Sequence, residues 1–107
     1  MVYKALKYIL IKMSVTVESN GNIYKDGCRV GEIDGGRIYK DGVRIGEIDG
    51  DRIYKDGTRV GEIDNGRIYK DGTRVAEYEN GRFYYDGSYV SSVNSLEEAI
   101  LYVFFDF

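Results

Sequence analysis

Short apolar pieces alternate with pairs of turn-forming residues through most of this chain, and the alternation repeats every 15 residues. Five copies run through residues 20–94. They read NGNIYKDGCRVGEID, GGRIYKDGVRIGEID, GDRIYKDGTRVGEID, NGRIYKDGTRVAEYE and NGRFYYDGSYVSSVN, starting at Asn20, Gly35, Gly50, Asn65 and Asn80. A fixed short period is the mark of a tandem array of one supersecondary unit. The fifth copy drifts, with Tyr85 in a lysine position, Tyr89 in an arginine position, and Ser91 and Ser92 where Gly-Glu stands elsewhere. Terminal repeats diverge because they meet something other than another copy.

Each copy carries two turn signals. One opens it, as in Asn65-Gly66, and the other is Asp-Gly, as in Asp71-Gly72. Both pairs tolerate the positive φ that a type I′ hairpin turn requires at its two central residues. The Asp-Gly signal also fits a three-residue loop such as Lys40-Asp41-Gly42, with the glycine in a bulge. Between the turns lie short extended pieces such as Arg52-Ile53-Tyr54 and the longer run from Arg59 to Ile63. Strand alternation sends Ile53 and Tyr54 to opposite faces. It groups Val60 with Glu62, and Arg59 with Gly61 and Ile63. Neither face is then purely apolar, which predicts bends or bulges.

The period constrains the geometry further. Two two-residue turns per 15 residues would slip the register by an odd number, and an odd slip exchanges the faces of the sheet. Either one turn is a three-residue loop or each copy carries a bulge. Both devices increase twist and predict a curled or closed sheet rather than a flat one. A parallel solenoid with one copy per coil would stack like charges on one another, which destabilises a sheet. Antiparallel hairpins avoid this and are expected to bring Glu32 near Arg37, Glu47 near Arg52 and Glu62 near Arg67.

The ends differ from the array. Residues 9–18 alternate, with Ile9, Ile11, Met13, Val15 and Val17 on one side, which predicts a strand within an N-terminal region spanning residues 1–19. That strand either completes the first hairpin or pairs with residues 89–93 and closes the array. The C-terminal residues 95–107 read as a helix. Ser95 and Glu98 have capping-box spacing, and Leu96, Ala99, Ile100, Val103, Phe104 and Phe107 share one face. Leu101, Tyr102 and Phe105 make the other side apolar as well. One face can cover this chain's sheet, so Leu101, Tyr102, Phe104, Phe105 and Phe107 are the expected interface for a second copy, and a homo-oligomer or protein partner is anticipated. A rival reading makes residues 101–107 a strand resembling an outer-membrane β-signal.

The stretch from Ile45 to Tyr54, followed by x-Asp-Gly, resembles the repeat of the bacterial "4-fold beta flower" proteins, Gly-x-Ile-Asp-Gly-Asp-x-Ile-Tyr-x-x-x-Gly. The resemblance covers residues 28–87 and, more weakly, 13–94. It implies hairpins set like petals around a pseudo-rotational axis, and no enzymatic activity. Four petals are then counted at residues 29–39, 44–54, 59–69 and 74–84, with a fifth formed by the N-terminal strand, Asn20-Gly21, Ile23 and Tyr24. The repeat here is more regular and slightly shorter than that pattern. The string from Tyr54 to Gly61 is also similar to the hairpin core of MORN repeats, whose period is longer.

The 107 residues suit one domain, mainly β with one C-terminal helix. His, Pro and Trp are absent, while Gly and Tyr number 14 and 11. Acidic residues exceed basic ones by three, which argues against nucleic acid as a partner. The single Cys28 forms no internal disulfide, and a reducing, cytoplasmic setting is expected. The first residues lack a clean signal-peptide pattern, and no run is long enough to predict a membrane helix.

Without histidine the commonest general base and metal ligand is missing, so neither catalysis nor a metal nor a cofactor is expected. Cys28 fills a variable slot held elsewhere by Val43, Thr58, Thr73 and Ser88. The repeated aspartates are explained by the turns, and the Asp49-Gly50-Asp51 string lacks the ligand spacing of a calcium loop. The repeated Tyr24, Tyr39, Tyr54, Tyr69 and Tyr84, with Arg44, Arg59 and Arg74 nearby, are the candidate ligand-binding positions. On a meander they recur every second strand, about 9.6 Å apart. A structural alternative packs each tyrosine over a strand glycine, Gly31, Gly46 or Gly61, under an arginine. The expected function is a non-catalytic structural or protein-interaction module, self-associating through its helix. The alternative is a carbohydrate- or small-ligand-binding protein.

Overall fold

The structure is a computed structural model that describes residues 15–105 and 107. Eleven strands follow one another: β1 Val15–Val17, β2 Asn22–Lys25, β3 Cys28–Asp34, β4 Arg37–Lys40, β5 Val43–Asp49, β6 Arg52–Lys55, β7 Thr58–Asp64, β8 Arg67–Lys70, β9 Thr73–Glu79, β10 Arg82–Tyr85 and β11 Ser88–Ser92. A single helix among the described residues, α1 Leu96–Phe104, ends the succession. All eleven strands form one antiparallel sheet in sequence order, an open meander. The expected petals are consecutive strand pairs of this meander, each bonded to the next. Only residues 15–17 of the expected N-terminal strand are described, as β1; residues 9–14 lie outside the described residues. β1 pairs with β2 and completes the first hairpin, and no ladder joins it to β11 among the described residues.

Both turns within the array are two-residue turns. Asn65 and Gly66 have φ of 52° and 80°, and Asp71 and Gly72 have 53° and 80°. Strands of four and seven residues plus two such turns account for the 15-residue period. The register parity is restored by a bulge instead of a longer loop. Ile38 faces Gly46 and Tyr39 faces Arg44, so Ile45 is the inserted residue. Val30, Val60 and Val75 occupy the same place in their copies. The first turn differs: residues 18–21 form a longer loop, in which the Asn20 side chain accepts from the Asn22 N–H at 3.0 Å. At Gly66 a side chain is excluded twice, by φ and by the Tyr78 carbonyl, which a Cβ would overlap. Gly66→Ala is expected to lower stability by about 1–2 kcal/mol, readable as a fall in the urea midpoint.

The bulge reassigns the faces that strict alternation predicts. Arg44 and Glu47 are three apart, yet they share the outer face and form an ion pair at 3.0 Å. Arg29 with Glu32 and Arg59 with Glu62 repeat it. The expected grouping of Arg59 with Gly61 and Ile63 therefore fails. Glu32 lies opposite Tyr39, with Arg37 diagonal to it on the same face, between Asp34 and Glu47. These arginines are about half exposed (Arg44 51 %). Arg44→Ala should accordingly shift the unfolding free energy by less than about 1 kcal/mol.

The inner face holds Ile23, Ile38, Ile53, Ile68 and Phe83, one fully buried residue per copy. α1 packs on this face, with Ala99, Ile100, Leu101, Val103 and Phe104 buried. Ser95 caps the helix, its Oγ accepting from the Glu98 N–H at 3.4 Å. The helix stops at Phe104, short of the expected residue 107, and Phe105 is extended (φ −129°). The reason lies in the sheet. The Phe104 ring occupies the space a Cβ would take at Gly61, the Phe105 ring does so at Gly46, and the Phe107 ring lies against Gly31. Three aromatic rings thus meet the same glycine of three successive copies, and a continued helix would carry the last two off that line. The strand reading of residues 101–107 fails, since residues 101–104 are helical.

The curl is visible at the two ends of the sheet. Glu98, 6 % exposed, accepts from the Val17 N–H at 2.8 Å and from the Asn94 N–H at 3.0 Å. One carboxylate thus bridges the first strand and the segment leaving the last. The acidic group also sits in the first turn of α1, where the helix dipole favours it.

Candidate functional site

The five repeated tyrosines alternate with the buried isoleucine or phenylalanine of each short strand, so all of them face outward. Each is half-buried. Tyr39 is flanked by Glu32 on β3 and Arg44 on β5, Tyr54 by Glu47 and Arg59, and Tyr69 by Glu62 and Arg74. The end positions depart from this. Tyr24 has Thr16 and Arg29 beside it, and Tyr84 has Glu77 and Tyr89. Tyr89 replaces the arginine and meets the Tyr84 ring edge-on at 5.6 Å.

The outer face therefore carries a row of tyrosines separated by paired opposite charges. Shallow depressions recur along it. One of about 420 Å³ is bounded by Arg29, Glu32, Tyr39 and Asp41, and its equivalent one copy later, about 540 Å³, by Arg44, Glu47, Tyr54 and Asp56. The bulge is what builds them, because it turns each arginine to the same side as the glutamate and tyrosine. The tyrosines do not pack over Gly31, Gly46 and Gly61, as the structural alternative expects. Those glycines open to the inner face, where the helix and tail rings meet them.

The expected oligomer surface is placed differently from the expectation. Leu101, Phe104 and Phe105 are 0 %, 5 % and 4 % exposed, buried against this chain's own sheet. Tyr102 is half-buried and meets the rings of Phe83 at 5.2 Å and Tyr85 at 5.5 Å. Phe107 is half-buried, with the Lys40 ammonium 5.3 Å from its ring centre. The curl supplies both sides of the helix with partners from one chain, a possibility that a flat sheet would not offer.

Cys28 is exposed at the start of β3. Among the described residues no three His, Cys, Asp or Glu side chains gather as a metal site would require, and no helix is long and apolar enough to cross a membrane. What sequence reasoning missed is on the inner side. Glu98 is a bridge as well as a capping residue. Ser91, in the glycine position of the fifth copy, is buried beside a cavity under α1. Its substitution for glycine was the only signal.

Fold and surface together define a curled antiparallel meander packed against α1, with a repetitive outer face. Comparison with known proteins finds no matching family model, no matching curated protein and no matching solved structure.

Proposed function

We propose that this chain is a non-catalytic binding module whose outer tyrosine face holds an extended, neutral, hydroxyl-rich polymer, a polysaccharide. The observation that carries this reading is the recurrence of one half-exposed tyrosine, one arginine and one glutamate on the same face of successive copies. Tyrosine combines an apolar ring face, suited to the flat side of a sugar ring, with a polar hydroxyl. The arginine and glutamate donate to and accept from hydroxyl groups. Their pairing with each other leaves little net field along the row, which favours a neutral ligand over a polyanion. Equivalent tyrosines two strands apart, about 9.6 Å, give a polymer several identical contacts, so affinity rises with ligand length. The buried face of the helix is turned into the core, while the outer tyrosine face is open to a partner.

Affinity electrophoresis through gels containing soluble neutral β-glucan, mannan or xylan tests this. The protein is expected to be retarded by at least one of them, and the Tyr54→Ala, Tyr69→Ala double variant to lose that retardation while keeping its melting temperature. No retardation by any polymer, or retardation that the double substitution leaves unchanged, refutes the reading.

A further inference from the structure

The fifth copy departs from the others on both faces of the sheet, and the helix accounts for the inner departure alone. There Tyr85, in a lysine position, meets the Tyr102 ring of α1. On the outer face, away from α1, Tyr89 stands where the other four copies have arginine, and Ser92 where they have glutamate. The two changes go together. The positions three apart that form an ion pair in earlier copies form a neutral contact here, with the Tyr89 and Ser92 hydroxyls 3.2 Å apart. Burial does not explain the new ring: Tyr89 is 54 % exposed, the one exposed aromatic side chain among the described residues.

Tyr89 lies opposite Tyr84, and Tyr84 lies opposite Glu77. Directly opposed residues have their Cβ atoms about 5 Å apart. The three side chains therefore stand together on the outer face of β9, β10 and β11. The Tyr84 and Tyr89 rings are 5.6 Å apart with their planes inclined by 68°. The glutamate beside them differs from its equivalents too. In the first three copies the arginine holds the glutamate by a hydrogen bond: Arg29 to Glu32, Arg44 to Glu47 and Arg59 to Glu62. Arg74 stands 3.8 Å from Glu77, beyond hydrogen-bond reach. Of the four repeated carboxylates, Glu77 is the one that its arginine does not hydrogen-bond, and it is the one beside a pair of rings.

We infer that Glu77, Tyr84 and Tyr89 form an end subsite of the outer face, which takes one neutral pyranose unit carrying two adjacent hydroxyl groups. The apolar side of the sugar ring lies on the tyrosine pair. The Glu77 carboxylate accepts from the two hydroxyls, and bonds to an ionised acceptor are the stronger ones. Earlier copies offer a sugar one ring and a glutamate already engaged, so each holds it weakly and the row depends on repetition. The end subsite holds one unit without the row. It rests on the outer face being a sugar-binding face, and it adds where the firmest contact lies and what unit makes it.

Chemical-shift titration of the full chain with cellobiose, mannobiose and xylobiose, each too short to engage the whole row, tests the subsite. Saturable shifts are expected with at least one disaccharide, largest at Glu77, Tyr84 and Tyr89. Tyr89→Arg, which restores the pattern of the earlier copies, should weaken that binding about tenfold, and Glu77→Ala by a similar factor. The Tyr54→Ala, Tyr69→Ala double variant should bind the disaccharide as the unaltered protein does. Absence of saturable shifts with all three sugars overturns the inference. So do shifts of equal size at Tyr39, Tyr54 and Tyr69, or a Tyr89→Arg variant that binds undiminished. The row and the end subsite can fail separately. Retardation by a polymer without disaccharide binding leaves the row and removes the subsite; disaccharide binding at these three residues without retardation does the reverse. Tyr89 is exposed, so its substitution spares the core. If a variant nonetheless fails to fold, the location of the shifts on the unaltered protein decides.

Discussion

Phe104→Ala is expected to lower the unfolding free energy by about 3–5 kcal/mol, the range for truncating a buried phenylalanine. The ring is 5 % exposed and fills the space that a side chain at Gly61 would take. Its removal leaves a cavity between the helix and β7 that the surrounding strands cannot close, because β7 is tied into the ladder on both sides. Stabilities of small domains run to about 5–15 kcal/mol, so a loss of this size is visible in a urea titration. The same contact makes a second, linked expectation. Gly61→Ala overpacks the site and should cost about 1–3 kcal/mol. Combined with Phe104→Ala it should cost less than the sum, since the added methyl group then loses its clash with the ring and keeps only the one with the Tyr69 carbonyl. Additive effects would mean that the ring and the glycine do not meet.

Glu98→Ala is expected to cost about 2–4 kcal/mol, because it strips acceptors from two backbone N–H groups at once. The Val17 and Asn94 N–H groups belong to opposite ends of the sheet, and Glu98 is their shared partner. Hydrogen exchange should localise the damage: the amides of Val17 and Asn94 lose protection while those of β5 to β8 keep theirs. Glu98→Gln retains one carbonyl acceptor and should fall between the wild type and the alanine variant. If both substitutions prove neutral, the two ends of the sheet are not joined through this side chain.

Much of the fold was legible because the turn chemistry is explicit. Asn-Gly and Asp-Gly pairs at fixed intervals give hairpins, and the odd period requires a parity-restoring device. Which device was not legible. Lys40-Asp41-Gly42 fits a three-residue loop, and a bulge at Ile45 leaves no residue signature of its own. The face assignments failed as a direct result, since alternation counted through an unrecognised bulge puts Arg59 on the wrong side. Strand glycines signalled a close approach without naming what approaches. The answer, Phe104, Phe105 and Phe107, comes from a distant segment whose docking depends on how far the sheet curls. For the same reason the apolar circumference of α1 pointed to a second copy, although one curled sheet already buries Leu101, Phe104 and Phe105. The drift of the fifth copy becomes intelligible only with the helix in place: Tyr85 stands where lysine stands elsewhere and meets Tyr102.

Of the candidate site, the tyrosine and arginine positions were legible as a periodic set. Their common outward face and the glutamates between them follow from the bulge. The inner cavity was not legible at all, because it lies between the ends of the sheet and exists only once those ends are brought together.

One chain supplies both the sheet and the helix it encloses, with successive glycines receiving successive rings, and everything else here depends on that arrangement. Nuclear Overhauser spectra of an equimolar mixture of labelled and unlabelled protein, filtered to separate contacts within a chain from contacts between chains, test it most directly. Contacts within a chain are expected from the Phe104 ring to the Gly61 α-protons and from the Phe105 ring to those of Gly46, with these α-protons shifted upfield by the rings. Missing contacts, or contacts that appear only between chains, would contradict it.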